Sequence, residues 1–182
     1  MKQAFNLTRN KGRWIDKPMR SGVMQPWLID DSSLTARLKA RYPDLAVQPV
    51  LIKNTIAFND ESALIGLKAV QHALVRDVLL IGNNMPVVFA HSVLPKSSLR
   101  GPWNGLGKLG NKPLGAALFA NPQVKRAPLS YKKLSPHQVL YQKATQHLSI
   151  KPAYLWARRS VFSLNCANIL VTEVFLPQLL SS

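Results

Sequence analysis

The sequence predicts an α+β domain built on an antiparallel β-sheet, and three observations carry that prediction. Two apolar-rich segments, His72–Ile81 and Pro86–Leu94, flank Gly82-Asn83-Asn84-Met85, where asparagine tolerates the positive φ that a tight hairpin turn needs. Ala153–Leu164 and Ile169–Leu176 repeat the pattern around Asn165-Cys166-Ala167-Asn168. Neither pair has room for a crossover helix, so its strands run antiparallel rather than in βαβ units. At 182 residues, 47% of them hydrophobic and 18% charged, the chain makes about one domain with a substantial core. Global disorder is excluded.

Taken in order, residues 1–20 read as a basic arm with six Lys or Arg and one acid, in which Trp14 and Ile15 are expected to dock on a domain spanning 21–182. Asp30-Asp31-Ser32-Ser33 then supplies a helix cap ahead of Leu34–Ala40, where Leu34 and Leu38, four apart, share one face. Leu45 to Lys53 alternates through Leu45, Val47, Pro49 and Leu51, a strand weakened by its proline. The first hairpin follows. Five of the nine glycines then fall between Gly101 and Gly115. Within that segment Asn111-Lys112-Pro113 opens a helix over Leu114–Phe119, with proline at its first turn. Ser135-Pro136 opens another that runs to about Gln146, before the second hairpin.

Composition narrows the function classes. Apolar runs such as Val78–Ile81 are far too short to cross a bilayer, so no integral membrane segment is expected. The first twenty residues lack an apolar core, so a secretory signal is not expected either. A single cysteine, Cys166, excludes an internal disulfide framework and a cysteine-rich zinc site, and fits a reducing, cytoplasmic setting. The net charge is +16, which implies an anionic partner: nucleic acid, an anionic membrane surface or a small polyanionic metabolite. Seven of the eight acids lie at or before Asp77, and Glu173 is alone in the remaining 105 residues, among twelve basic ones.

Three constellations could carry chemistry. If the first hairpin turns between Asn83 and Asn84, Arg76 lies opposite His91 on one face, on a stripe with Leu74, Val78 and Leu80. An arginine there must find an anion, pair with an acid or reach water, and taken alone a structural role outweighs anion binding. If the second hairpin centres on Cys166 and Ala167, Glu173 lies opposite Ser160, diagonal to Arg158, with Val171 and Phe175 on its own face. A lone carboxylate between apolar neighbours is costly unless bound; a buried pair with Arg158 or Arg159 competes evenly with a ligand-facing role. Third, the first N–H groups of the helix at Pro113 lack intrahelical acceptors, beside Lys108 and Lys112, and suit a carboxylate or phosphate unless Asn111 caps them. Gly105-Leu106-Gly107-Lys108-Leu109-Gly110 matches a dinucleotide-binding string but lacks its crossover and its later acid. His72, His91, His137 and His147 have no metal-ligand spacing, so no metal is expected. The basic patches Lys125-Arg126 and Lys132-Lys133 come with no nucleic-acid-binding motif, and no nucleic-acid partner is expected.

Three ordered segments resemble the chorismate pyruvate-lyase family, which makes 4-hydroxybenzoate for ubiquinone synthesis. They are Leu74-Val75-Arg76-Asp77-Val78-Leu79-Leu80; Lys108-Leu109-Gly110-Asn111-Lys112-Pro113-Leu114-Gly115 with Leu118-Phe119; and Leu155-Trp156-Ala157-Arg158-Arg159-Ser160 with Leu170 to Pro177. The resemblance implies a single antiparallel sheet with flanking helices and helical flaps, and elimination of pyruvate from chorismate without a cofactor. It implies that Arg76 clamps the ring carboxylate, that Leu114 offers its backbone N–H to the same group, and that Glu173 holds the ring hydroxyl. A backbone contact maps onto Leu34, and His91 stands where several relatives carry an arginine suited to the enolpyruvyl carboxylate. The expected partners are chorismate and 4-hydroxybenzoate, on a monomer. The same fold resembles the effector-binding module of some bacterial transcription regulators, so a non-catalytic sensor of aromatic acids is the alternative; a nucleic-acid-binding protein, resting on charge alone, ranks third.

Overall fold

The computed structural model describes residues 13–68 and 70–181. Most of the expected basic arm, residues 1–12, lies outside them. Seven strands form one sheet: β1 (Ala46–Ile56), β2 (His72–Gly82), β3 (Met85–Pro95), β4 (Lys125–Arg126), β5 (Ser130–Leu134), β6 (Leu155–Leu164) and β7 (Ala167–Phe175). Their order is β1-β2-β3-β7-β6, every pairing is antiparallel, and β4 and β5 pair with successive stretches of β6. Among the described residues the α-helices are α1 (Gln25–Ile29), α2 (Leu34–Arg41), α3 (Asn59–Ser62), α4 (Lys96–Arg100), α5 (Leu114–Ala120) and α6 (Val139–Thr145). This is the α+β architecture, with a single antiparallel sheet and flanking helices, that the hairpin signals predict.

Local chemistry accounts for the elements. Asn83 and Asn84 both take positive φ, 50° and 59°, which is the turn geometry that follows the right-handed twist of a hairpin. Ser33 caps α2 by accepting from the Ala36 N–H at 3.3 Å. Pro49 is tolerated because β1 is an edge strand, and the register shifts beside it, between Pro49 and Leu51. The helix expected from Ser135 begins later, at Val139, because Ser135 to Gln138 closes a turn. In it the Gln138 N–H donates to the Ser135 carbonyl at 3.0 Å, and the Ser135 N–H donates to Gln138 Oε1 at 2.9 Å. Trp14 and Ile15 do dock: Ile15 exchanges two 2.8 Å backbone bonds with Tyr131, and Trp14 Nε1 donates to Asp60 at 3.1 Å.

Two expectations about register need correction. Both pairs that follow β2 across the first hairpin sum to 167 near the turn, but the ladder shifts between Leu80 and Ile81, so that Leu80 faces Val88. Val87 is the extra residue of a bulge, next to Pro86, which has no N–H to give the ladder. From there down, Arg76 pairs with Ser92 and Asp77 with His91. His91 therefore shares no face with Arg76. The second turn is centred on Asn165 and Cys166, at φ 47° and 63°, rather than on Cys166 and Ala167. Glu173 consequently lies opposite Arg158, not Ser160. A one-residue slip reverses the face, as it does for His91; a two-residue slip leaves the face unchanged, as it does for Glu173.

Each face of the sheet carries two apolar clusters. In front, one gathers Leu28, Leu38, Leu80, Val88 and Phe175, the other Leu94, Leu114, Leu118, Phe162 and Ile169. Behind, Leu79, Phe89, Leu140, Tyr141 and Val174 form one cluster, and Ile65, Val75, Val93 and Leu170 the other. Between the clusters, on both faces, runs a polar row.

Candidate active site

Arg76 stands in the front polar row, between Leu74 and Val78 on the same face of β2. It is 3% exposed, and its Nη2 donates to the carbonyls of Gly110 and Lys112, each at 2.9 Å. Those carbonyls belong to the glycine-rich segment, where Gly110 takes a φ of 52°, a left-handed conformation that glycine enters without a Cβ clash. Arg76 Nε is buried and has no partner among the described residues. Burial pushes the pKa of this guanidinium below its ordinary value. Two carbonyls offset part of the desolvation, and a carboxylate accepting at the free edge would offset the rest.

Glu173 arrives from β7. Its Oε2 accepts from Arg158 Nε at 2.5 Å, and its Oε1 has no hydrogen-bond partner among the described residues. Arg158 is wholly buried and also holds the end of α1: its Nη1 donates to the carbonyls of Trp27 at 3.0 Å, Leu28 at 3.2 Å and Asp30. So the buried pair expected from the sequence exists, and it coexists with a carboxylate that lines a cavity. Arg158 orients that carboxylate and ties it to the helices lying over it.

The cavity lies between the two front clusters, with the sheet as its floor and α2 and α5 over it, and it encloses about 520 Å³ free of atoms, its open mouth included. Arg76 pairs with Ser92, whereas Glu173 pairs with Ala90, two strands from β2. Strand spacings of about 4.8 Å and a two-residue offset of about 3.4 Å per residue put the two Cα atoms roughly 12 Å apart. Val78, Ala90 and Val171 line the floor, and Leu118, Phe119 and Phe162 the sides. The helices approach closely: a Cβ built on Gly115 would lie 2.8 Å from Thr35 Oγ1. Leu34 and Leu114, the first residues of α2 and α5, both face this space. Pro113 is the N-cap of α5, and no side chain caps that helix, so Asn111 does not serve as its cap.

The structure thus brings Arg76, Leu34, Leu114 and Glu173 to one cavity and leaves His91 out of it. His91 lies on the back face, 2% exposed, with Nδ1 2.5 Å from Asp77 Oδ1 and Nε2 3.1 Å from Glu61 Oε1. Phe58 stacks on its ring, and Lys143 from α6 completes the group by donating to Asp77 at 2.8 Å. Burial alone would push the imidazole pKa down. The charge of Glu61 and the hydrogen bond to Asp77 outweigh it and raise the pKa to about 9. This histidine is a protonated structural centre. Sequence reasoning also missed a cavity residue, Arg126, reading it only as part of a basic patch. Its strand is two residues long, too short to show a periodicity.

Among the described residues no group of three or more His, Cys, Asp or Glu is placed to hold a metal ion, and no helix is long and apolar enough to cross a membrane. A family model described as chorismate lyase matches residues 12–182. A protein from Thiobacillus denitrificans named probable chorismate pyruvate-lyase is 48% identical over 159 residues, covering 87% of this chain and 85% of its own. One of the same name from Nitrosomonas eutropha is 46% identical, covering 90% and 93%. Among solved structures, the effector domain of PhnF from Mycobacterium smegmatis superposes with a TM-score of 0.55 at 13% identity, over 81% of this chain and 90% of that one. The C-terminal domain of a GntR-family transcriptional regulator from Bacillus anthracis gives 0.51 at 16% identity, over 72% and 93%. At such identities the likeness concerns the fold alone.

Proposed function

This chain belongs to the chorismate lyase family, and from that premise we propose that it releases pyruvate from chorismate to leave 4-hydroxybenzoate, the aromatic precursor that opens ubiquinone synthesis. The observation that carries the reading is the convergence of Arg76 and Glu173 on one cavity, where, among the described residues, the cation has no acidic partner and the carboxylate has one oxygen unengaged. Chorismate has a ring carboxylate at C1 and a hydroxyl at C4, para to it. In this reading the carboxylate sits on Arg76, with the backbone N–H of Leu114 and the start of α2 at Leu34 alongside, and the hydroxyl donates to Glu173.

The reaction is an elimination. The C4–H bond and the C3–O ether bond break, a C3=C4 double bond completes the aromatic ring, and the C4 proton goes to the departing enolpyruvate, which tautomerises to pyruvate. Aromatisation supplies the driving force, so the protein's part is to hold one conformer and exclude water. The charge of Glu173 polarises the adjacent C4–H, and apolar walls of Val78, Leu118 and Phe162 keep the ring dry. The proposed state is a monomer. The lone cysteine suits a reducing cytoplasm, and Trp14 and Ile15, the docked part of the arm assigned to residues 1–20, rest on the proposed catalytic domain 21–182.

The test is direct. Purified protein mixed with chorismate should yield equimolar 4-hydroxybenzoate, followed by its ultraviolet absorbance, and pyruvate, followed by a lactate dehydrogenase couple. Tight binding of 4-hydroxybenzoate without turnover would replace the lyase reading with that of an aromatic-acid sensor.

A further inference from the structure

Chorismate carries two carboxylates, and Arg76 accounts for one. Once His91 is found behind the sheet, the second has no partner among the site residues expected from the sequence. The cavity is lined by two cationic side chains, Arg76 and Arg126. Arg126 pairs with Phe162 of β6, and its guanidinium carbon lies 5.2 Å from the centroid of that ring and 5.6 Å from the Phe119 ring of α5. Its Nη1 donates to the Asp31 carbonyl, between α1 and α2, at 2.6 Å. Its Nε is buried without a partner, and among the described residues no carboxylate forms an ion pair with it. Burial holds its pKa below the ordinary value, against an upward pull from the charge of Glu173.

We propose that Arg126 binds the enolpyruvyl carboxylate, the group that leaves as pyruvate. The inference rests on the chorismate reading above and deepens it. The ether oxygen is on C3, next to the C4 hydroxyl that Glu173 receives, so the side-chain carboxylate emerges at the Glu173 end of the ring, away from Arg76. Arg126 is the lining cation at that end. Arg158, the other guanidinium near Glu173, is occupied by that carboxylate and by the end of α1. The two aromatic rings and the Asp31 carbonyl fix the plane of Arg126 and leave Nε to donate. Because Asp31 lies between α1 and α2 and Phe119 belongs to α5, Arg126 also joins the two helical elements over the cavity. The product 4-hydroxybenzoate lacks the second carboxylate. Arg126 therefore separates substrate from product, whereas Arg76 grips both.

The experiment compares the steady-state kinetics of chorismate with the affinity for 4-hydroxybenzoate, measured by calorimetric titration, in wild type, Arg126→Gln and Arg126→Lys. In Arg126→Gln, KM should rise roughly tenfold or more while the Kd for 4-hydroxybenzoate stays within about twofold, as expected when a charge-assisted contact to substrate alone is removed. Arg126→Lys should recover part of the loss, since it restores the charge without the planar fork. Retained product binding also shows that the variant is folded. An unchanged KM, or an equal loss of substrate and product affinity, overturns the proposal. Failure of the wild type to turn over chorismate would instead overturn the reading on which it rests.

Discussion

On each face of the sheet a polar row runs between two apolar clusters, but the two rows hold their charges differently. Behind the sheet, Asp77, His91, Thr172 and Arg159 follow one another across four paired strands. There the carboxylates have bonded cations: Asp77 has His91 and Lys143, Glu61 has His91, and Asp60 has Arg159 at 2.7 Å. In front, among the described residues, Glu173 is the one carboxylate that lines the cavity with Arg76 and Arg126, and it is bonded to Arg158 alone. In the back row each of these carboxylates is bonded to a cation, and those bonds fasten α3 and α6 to the sheet. The front row is an open set whose surplus is positive, with the guanidinium nitrogens of Arg76 and Arg126 bonded to carbonyls rather than to acids. A buried charge without a counter-charge is costly, and its placement in a cavity points to a ligand that brings the counter-charge.

The contrast can be broken at either row. His91→Gln removes the cation at the centre of the back row and should cost about 3 kcal/mol in stability, measured by denaturant unfolding, since it leaves buried carboxylates short of a partner. The KM for chorismate should stay within about twofold; a rise as large as that of the Arg76 variant would mean that the two rows do not act separately. Glu173→Gln should lower kcat by roughly 100-fold, the lower range for a group acting on a proton in the transition state, with less effect on KM. Wild-type turnover in that variant would make Glu173 a structural partner of Arg158 and nothing more. Arg76→Ala should raise KM by roughly 10- to 100-fold, from the loss of a charge-assisted contact of about 1.5–3 kcal/mol. An unchanged KM would remove Arg76 from the site.

The smallest expected effect is a pH dependence confined to the back row. His91 has its pKa raised from 6.5 to about 9 in the folded protein. Its stabilisation is complete below pH 6.5 and is lost as the pH rises through 9, a decline on the order of 2 kcal/mol by pH 8.5. Asp77 has the opposite sign. Burial favours its neutral form, but His91 and Lys143 outweigh burial and depress its pKa below 3.8, so its stabilisation holds above 3.8 and fades in stronger acid. Thermal melts between pH 6.5 and 9 should show the decline in wild type, and His91→Gln should flatten it. A decline that persists in the variant would assign it to other groups.

The fold was largely legible because its signals are local. The Asn83-Asn84 turn, the cap at Ser33 and the apolar alternation of β2, β3, β6 and β7 each act within a few residues of chain. Arg76 and Glu173 stood out as charges on stripes that are otherwise apolar. The residues alone favoured a structural role for Arg76 and left Glu173 evenly balanced, and only the family resemblance assigned both to one site. His91 was misplaced because a bulge at Val87, which no spacing rule announces, shifts the pairing by one and turns the side chain to the far face. Arg126 was overlooked because its strand is two residues long and its partners, Asp31, Phe119 and Phe162, lie at least seven residues away along the chain.

By itself the sequence determined the sheet, its hairpins, the charge surplus and two charges on apolar stripes, since propensity, turn chemistry and alternation are properties of neighbouring residues. Only the tertiary structure decided which of two adjacent residues faces the cavity. Arg76 and Asp77, Arg158 and Arg159, Thr172 and Glu173 are chain neighbours that the two-residue period of a strand sends to opposite faces. The register between strands selects the groups each one meets, and that register depends on long-range packing.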